Sequence, residues 1–200
     1  MATGAEQAQE EKAKGNAAFQ KGDFELAVKH FSKAIELSPS DAVLYSNRSG
    51  AYASLKNFEQ ALKDAETCVK LKPDWAKGYS RKGLAEFNLG RLREAEATYK
   101  KGLSIDPENA SLKAALAEVQ QSEASMRDLQ AMMAVTNAVR GHPKLQKYSK
   151  EDPEYIQKLV ALVSQIQANP ANLRLIMAQP ASPLIKQDDA RALCSIIPMN

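Results

Sequence analysis

The chain has 200 residues, of which 44% are hydrophobic and 26% are charged, and its formal net charge is +3. These values are typical of a globular protein and exclude a polybasic arm for nucleic acid or membrane surfaces. No apolar run approaches the roughly 20 residues that a helix needs to span a bilayer. Residues 1–6 lack the features of a secretory signal, and two cysteines cannot build a disulfide framework, so we expect a reduced, cytoplasmic compartment.

A 34-residue period organises the chain up to about residue 109. Four sets of similar residues recur at this spacing: Pro39, Pro73 and Pro107; Ala27, Ala61 and Ala95; Leu37, Leu71 and Ile105; Phe24, Phe58 and Leu92. Each period holds two helical runs, and proline, which lacks a backbone N–H, ends the second run. The period and its residue types resemble the tetratricopeptide repeat. This resemblance implies an all-α solenoid of three helix pairs, at 8–41, 42–75 and 76–109.

The turns inside the three repeats carry residues that tolerate a left-handed backbone. These turns are Lys21-Gly22-Asp23, Lys56-Asn57 and Gly90-Arg91, in which we expect the Gly or Asn to take that conformation. Two positions depart from the repeat pattern without breaking its phase. The second repeat has Ala65 where the other copies have an aromatic residue, and the third has Glu86 where they have Ala18 and Tyr52.

Helical patterns continue after the third repeat. Leu112, Leu116 and Val119 share one helix face, which predicts a capping helix and an array that covers residues 8–121. Residues 122–140 are predicted to form a helical linker. Asp152-Pro153-Glu154 has the cap, first-turn proline and acid that open a helix, and Asn169-Pro170 opens another. We therefore expect residues 141–200 to form a small, incomplete helical domain of the Asp-Pro type.

The first helices of stacked repeats line the concave surface, and their inward positions predict a binding groove. Fourteen residues occupy these positions: Gln9, Lys12, Asn16 and Phe19; Val43, Ser46, Asn47, Gly50 and Ala53; Lys77, Ser80, Arg81, Leu84 and Phe87. Lys77 and Arg81 lie one helical turn apart on one face. Ammonium, guanidinium and amide donors that converge on one point suit a pair of carboxylates, which they would hold by charge-assisted hydrogen bonds. The small Gly50 and Ala53 would let a peptide backbone lie close.

Three stretches closely resemble the first repeat array of the Hsp-organising co-chaperones, the stress-induced phosphoprotein family. They are Lys12-Ala13-Lys14-Gly15-Asn16, Leu44-Tyr45-Ser46-Asn47-Arg48-Ser49 and Lys77-Gly78-Tyr79-Ser80-Arg81-Lys82. The resemblance implies a dicarboxylate clamp at Lys12, Asn16, Asn47, Lys77 and Arg81. It also implies that the partners are the acidic C-terminal tails of heat-shock proteins 70 and 90, of the Glu-Glu-Val-Asp type. Residues 141–200 resemble the family's Asp-Pro-rich domain more loosely, which implies contacts with client proteins there.

No catalytic or cofactor motif stands out in the sequence. Cys68 is expected to be a buried thiol, and His30 and His142 are isolated, so we predict no metal site and no cofactor. Met126, Met132, Met133 and Met177 fit helix packing better than a client-binding surface. The leading interpretation is a non-enzymatic adaptor that binds neither nucleic acid nor membrane. Two alternatives use the same clamp: the chaperone-docking module of a larger enzyme, such as a prolyl isomerase or phosphatase, and a repeat-based import receptor or scaffold.

Overall fold

The computed structural model describes residues 3–141, 146 and 150–169. The chain divides into two compact units, Met1–Gln121 and Ser122–Asn200, each of which is described here by itself. The prediction of an all-α fold is confirmed, because the described residues form helices and turns with no strand among them. The short helix predicted to follow Asn169 lies outside the described residues. None of the described helices is long and apolar enough to cross a membrane.

Six helices form three antiparallel pairs in the first unit. They are α1 (Gly4–Gln20), α2 (Phe24–Leu37), α3 (Ala42–Ser54), α4 (Phe58–Leu71), α5 (Ala76–Asn88) and α6 (Leu92–Ile105). Within each pair the two helices pack together, and α2 against α3 and α4 against α5 stack one pair on the next. The fully buried Ala27, Ala61 and Ala95 allow the close approach that this packing needs. Among the described residues, two further helices follow, α7 (Ala110–Gly141) and α8 (Pro153–Ala168).

The turn inside each repeat contains one residue with a positive φ angle. These residues are Gly22 at 80°, Lys56 at 57° and Gly90 at 74°, which are spaced by the repeat period. The expectation that Asn57 takes the left-handed conformation is wrong. Asn57 has a φ of −90° and is the N-cap of α4, where its side chain accepts a hydrogen bond from the Gln60 N–H. The left-handed position therefore falls on an ordinary L-residue, Lys56, in the second repeat.

Where the second helix of a repeat carries a buried aromatic residue, the first helix has a glycine facing the ring. A Cβ atom on Gly15 would lie 2.6 Å from the ring of Phe31, and one on Gly83 would lie 2.4 Å from the ring of Tyr99. The second repeat has Ala65 at the aromatic position, and Ser49 replaces the glycine there. The Ser49 hydroxyl uses the freed space and donates to the Ala61 carbonyl at 2.8 Å. The departure noted in the sequence is thus a paired change that keeps the core filled.

A buried acid in each repeat is contacted by nitrogen atoms of neighbouring side chains. In the first repeat, His30 Nδ1 lies 2.7 Å from Glu11, and this hydrogen bond is the main cause that lowers the pKa of Glu11 to about 2. In the second, Arg48 donates to both oxygens of Asp64 at 2.7 and 2.8 Å. In the third, Lys82 lies 3.3 Å from Glu86. Each acid is at least nine-tenths buried, and these partners offset much of its loss of hydration, although Glu86 Oε2 has no hydrogen-bond partner among the described residues.

The first turns of α7 close the end of the array. Leu112 and Val119 are buried against Ala95 and Tyr99 of α6. The helix continues without a break to Gly141, so the residues predicted to be a linker are helical. The predicted limits of the repeats, the linker and the later domain stay predictions.

The second unit combines the later part of α7 with α8. Ala131 and Val135 of α7 and Leu159 and Val163 of α8 are buried. The Ser164 hydroxyl donates to the Asp128 carboxylate across the two helices. Asp152 caps α8 by accepting from the Tyr155 N–H at 3.0 Å, and Pro153 occupies the first turn, as the sequence predicts.

Candidate peptide-carboxylate site

The predicted clamp residues lie on the first helices of the three pairs. Lys12 and Asn16 are one turn apart on α1, Asn47 is on α3, and Lys77 and Arg81 are one turn apart on α5. These helices contact one another in order, α1 against α3 and α3 against α5. Their inward faces therefore form one continuous surface, to which all three repeats contribute.

The two asparagines contact each other across the first two repeats. Asn47 Nδ2 donates to Asn16 Oδ1 at 3.2 Å, and the pair is accessible to solvent. This bond uses one donor hydrogen of Asn47 and leaves the second hydrogen of that amide and both hydrogens of the Asn16 amide for other contacts. The pair can therefore donate hydrogen bonds to a bound anion.

Arg81 is held over the backbone of the second repeat. A Cβ atom on Gly50 would lie 3.0 Å from both Cζ and Nη2 of Arg81, so a side chain at position 50 would require the guanidinium to shift. The Arg81 Nε is buried and has no hydrogen-bond partner among the residues that the structure describes. Burial holds the pKa of Arg81 below its usual value. A bound anion stabilises a partly desolvated cation such as this one more strongly than it stabilises a fully hydrated cation.

Lys77 adds a second cation beside Arg81. Burial lowers the pKa of Lys77, and the charge of Arg81 lowers it further, as expected for like charges that lie close together. The Lys77 Nζ is 5.8 Å from the centre of the Trp75 ring, and Lys72 Nζ is 5.5 Å from the same ring. The ring is thus flanked by two ammonium groups, one of which belongs to the predicted clamp.

Cys68 lies beneath this cationic pair. The thiol is fully buried, and burial raises its pKa to about 11, although the charges of Lys77 and Arg81 act in the opposite sense. The carboxylate of Asp41 raises the same pKa, so Asp41 shares this neighbourhood. The thiol is therefore protonated at neutral pH, in agreement with the sequence-based expectation of a buried, inert cysteine.

Lys12 lies beside an acidic side chain. Its Nζ is 3.8 Å from Oδ2 of Asp41, and both side chains are partly exposed. Asp41 and Trp75 each approach a predicted clamp lysine, and neither was predicted from the sequence. Both occupy the last position of their repeat, directly before a first helix, and this shared phase is the signal that could have found them.

The residues predicted to line the groove differ widely in exposure. Leu84 is exposed, Phe19, Ala53, Ser80 and Phe87 are partly buried, and Ser46 and Gly50 are buried. The ring of Phe19 packs edge-on against Phe24, with 5.2 Å between ring centres. Phe87 packs against the core around Ala95 and Tyr99. Much of this apolar set therefore supports the helices from within, and Leu84 offers the most accessible apolar surface.

Family models place the tetratricopeptide repeats along the first unit. A model described as TPR repeat matches residues 15–56, and two described as Tetratricopeptide repeat match residues 42–74 and 76–109. The repeat resemblance in the sequence is therefore confirmed, and it agrees with the three helix pairs of the structure.

Solved repeat domains share this fold. The first TPR of Spaghetti (RPAP3) bound to the HSP90 peptide SRMEEVD is 34% identical, with a TM-score of 0.58 over 60% of this chain and 98% of that one. The second TPR domain of human RPAP3 in complex with the HSP70 peptide SGPTIEEVD is 31% identical, with a TM-score of 0.56 over 57% and 95%. The TPR2B domain of yeast Sti1 in a pHsp70 complex is 28% identical, with a TM-score of 0.56 over 58% and 98%.

Curated relatives match most of the chain. The Hsp70-Hsp90 organising protein of Plasmodium falciparum is 45% identical over 173 residues, which is 86% of this chain and 68% of that protein. The corresponding protein of Triticum aestivum is 44% identical and the heat shock protein STI1 of Saccharomyces cerevisiae 43% identical, and the chain spans 31% and 29% of their lengths. With nearly half of the residues identical over both units, the chain belongs to the family of Hsp70–Hsp90 organising proteins, as the three quoted stretches of its sequence had indicated.

Proposed function

We propose that this chain is a co-chaperone adaptor that captures the acidic C-terminal tail of heat-shock protein 70, heat-shock protein 90 or both. The observation that carries this proposal is the paired, partly desolvated Lys77 and Arg81 on α5, with Arg81 seated over Gly50. The peptides bound to two of the similar repeat domains end in Glu-Glu-Val-Asp. Capture of a tail requires no bond making or breaking, so the proposed role is that of an adaptor and not of an enzyme.

The clamp would hold the terminal aspartate of the tail by both of its carboxylates. We assign this role to Lys12, Asn16, Asn47, Lys77 and Arg81, which supply three cations and two amides from three repeats. Hydrogen bonds between such cations and carboxylates are shorter and stronger than neutral ones. Because packing on Gly50 already orders the Arg81 guanidinium, little side-chain entropy would be lost when the tail binds.

The remainder of the tail would extend along the first helices. Leu84 offers the exposed apolar contact on α5, one turn after Ser80. A valine side chain of the tail could pack against Leu84. Because Gly50 has no side chain, the tail could approach the backbone of α3 closely. We also propose that the protein acts in the cytoplasm, where its chaperone partners would be available.

A peptide series with altered C-termini tests the proposal. We expect a peptide ending in Glu-Glu-Val-Asp with a free carboxylate to bind, and amidation of its terminus to weaken binding by about 10- to 100-fold, because one charge-assisted contact is lost. Extension by one residue should have a similar effect, and affinity should fall as salt rises. Isothermal titration calorimetry on the full chain measures all three. Equal affinity for the amidated peptide would mean that the site reads an internal acidic motif, and the proposal would be wrong.

A further inference from the structure

Asp41 lies at the edge of the proposed clamp and contacts one of its cations. Its Oδ2 is 3.8 Å from Lys12 Nζ, and the two side chains are 27% and 23% exposed. A partly exposed ion pair of this length contributes little to stability, because water and salt screen the two charges. Lys12 is therefore partnered by a carboxylate of its own chain, of the same chemical type as the carboxylates that the clamp would bind.

A second contact fixes the orientation of the Asp41 carboxylate. Asp41 is the N-cap of α3, and its Oδ1 accepts a hydrogen bond from the Val43 N–H at 2.8 Å. Because Oδ1 is committed to the start of the helix, rotation of the carboxylate is restricted and Oδ2 stays on the side of Lys12. The negative charge is thus held in place by the fold, and movement of the lysine alone does not remove it.

We propose that Asp41 is a built-in competitor of the chaperone tail, which occupies Lys12 in the free protein and lowers the affinity of the clamp for a carboxylate terminus. This inference rests on the proposed function, in which Lys12 belongs to the clamp. When the tail binds, Lys12 can move away from Asp41, and the ion pair is then lost. Alternatively, Lys12 stays between the carboxylates of Asp41 and of the tail, which repel each other. Both outcomes make binding weaker than it would be with a neutral residue at position 41.

The chain itself shows that a neutral residue can do the structural work of this position. Asp41, Trp75 and Asn109 occupy the same phase of the 34-residue period. Asn109 caps α7, since its Oδ1 accepts from the Leu112 N–H at 3.1 Å. Asn and Asp are equally good N-caps. The capping function of Asp41 can therefore be separated from its charge by a single substitution.

Asp41→Asn is that substitution. We expect the full-length variant to bind a synthetic peptide ending in Glu-Glu-Val-Asp about two- to fivefold more tightly than the unaltered chain at low salt. The gain should shrink as salt rises, because a partly exposed pair is screened. The matched control is Asp23→Asn, which removes the same charge from the N-cap of α2, where the side chain accepts from the Leu26 N–H at 3.1 Å. The control should leave affinity unchanged, and thermal melts should show that both variants are folded.

A double-mutant cycle with Lys12→Met tests whether Asp41 acts through Lys12. In the Lys12→Met background, Asp41→Asn should change affinity by less than about 1.5-fold. Several outcomes would overturn the inference: weaker or equal binding by Asp41→Asn, an equal gain in Asp23→Asn, or an undiminished gain in the Lys12→Met background. If the unaltered chain does not bind the peptide at all, the proposed function fails and this inference fails with it. Binding by the unaltered chain with no gain in Asp41→Asn would refute the inference alone.

Discussion

Arg81 is the residue on which the proposed site depends most. Its guanidinium is fixed over Gly50, its Nε is buried without a partner among the described residues, and burial lowers its pKa. Because of these features, the charge of Arg81 costs free energy in the free protein and attracts a bound anion strongly. Lys77 one turn earlier shares this situation, with a smaller part of its side chain removed from water.

Removal of either cation should weaken tail binding strongly. We expect Lys77→Ala and Arg81→Ala to weaken binding by about 10- to 100-fold, or 1.5–3 kcal/mol, because each deletes a charge-assisted contact. The fold should persist, since neither residue carries the core. Calorimetry gives the affinities and circular dichroism the melting temperatures. Lys113→Ala and Arg93→Ala, which remove the same charges at exposed positions of the same unit, are the controls. Affinity like that of the unaltered chain in both clamp variants would refute the clamp.

Substitution of Gly50 by alanine is expected to lower tail affinity without lowering the stability of the fold. A Cβ in this helix should add about 0.5–1 kcal/mol of stability, since alanine is the better helix former, less the strain of moving Arg81. The same Cβ, 3.0 Å from Cζ and Nη2, must displace the guanidinium. We therefore expect Gly50→Ala to keep its melting temperature while tail affinity falls about fivefold, or 1 kcal/mol.

The control for this substitution is Gly4→Ala. A Cβ on Gly4 in α1 would meet no atom within 4 Å. This variant should bind the tail peptide as the unaltered chain does. If Gly50→Ala also bound the peptide with unchanged affinity, the position of Arg81 over Gly50 would not matter for binding.

At the scale of the elements, the turn between α3 and α4 holds an avoidable strain. Lys56 has a φ of 57°, whereas the equivalent turns use Gly22 and Gly90. A left-handed conformation costs an ordinary L-residue about 1–2 kcal/mol, and glycine avoids most of this cost. The second repeat thus pairs its helices in the same way as the others, with a less favourable turn residue.

Lys56→Gly should therefore stabilise the array by about 1 kcal/mol. The reverse change in the third repeat, Gly90→Ala, should destabilise it by a similar amount, because the backbone there has a φ of 74°. Urea unfolding measures both free energies. Tail affinity should stay the same in both variants, as neither turn contributes a clamp residue. Destabilisation by Lys56→Gly would show that the Lys56 side chain makes a favourable contact that outweighs the strain.

The exposed face of α7 in the second unit presents apolar side chains. Met126, Leu129, Met132 and Met133 are each at least half exposed, while Ala131 and Val135 on another face are buried. Helix packing was expected for Met126, Met132, Met133 and Met177. The first three are not packed in a core among the described residues, and Met177 lies outside those residues. The expectation that this unit contacts client proteins stays a prediction.

At the scale of the whole molecule, residues 1–121 should fold and bind the tail without the rest of the chain. The buried Leu112 and Val119, which cover the end of the array, lie before this cut. We expect a 1–121 fragment to bind the tail peptide within about twofold of the affinity of the full chain, or 0.4 kcal/mol. Calorimetry and thermal melts on the fragment test this. Loss of folding or of binding would show that residues after 121 complete the array.

Limited proteolysis of the full chain offers an independent check. We expect the first cuts near residues 141–152 or after residue 179, positions that lie mostly outside the described residues. The array should resist cleavage, because each of its helix pairs contributes to a buried hydrophobic cluster. Early cleavage within residues 10–105, with the later residues protected, would contradict this division of the chain.

The sequence by itself determined the repeat phase, the helix pairs and the residue types of the proposed clamp. It could do so because a helix buries one face at a fixed local period, and a 34-residue repeat transfers that face from one copy to the next. Pro39, Pro73 and Pro107 end helices for reasons that are local to each proline. The family was also within reach of the sequence, because its signature stretches fall on these same first helices.

The side-chain contacts between repeats could be identified only from the tertiary structure. The placement of Asp41 beside Lys12, of Trp75 beside Lys77 and of Arg81 over Gly50 depends on how one helix pair stacks on the next. Likewise, Ser46 shares the phase of the groove residues, yet stacking buries it completely. Periodicity assigns each residue to a face of its own helix. The distance between residues on different helices is set by the angle and depth of packing, which a repeat pattern does not encode.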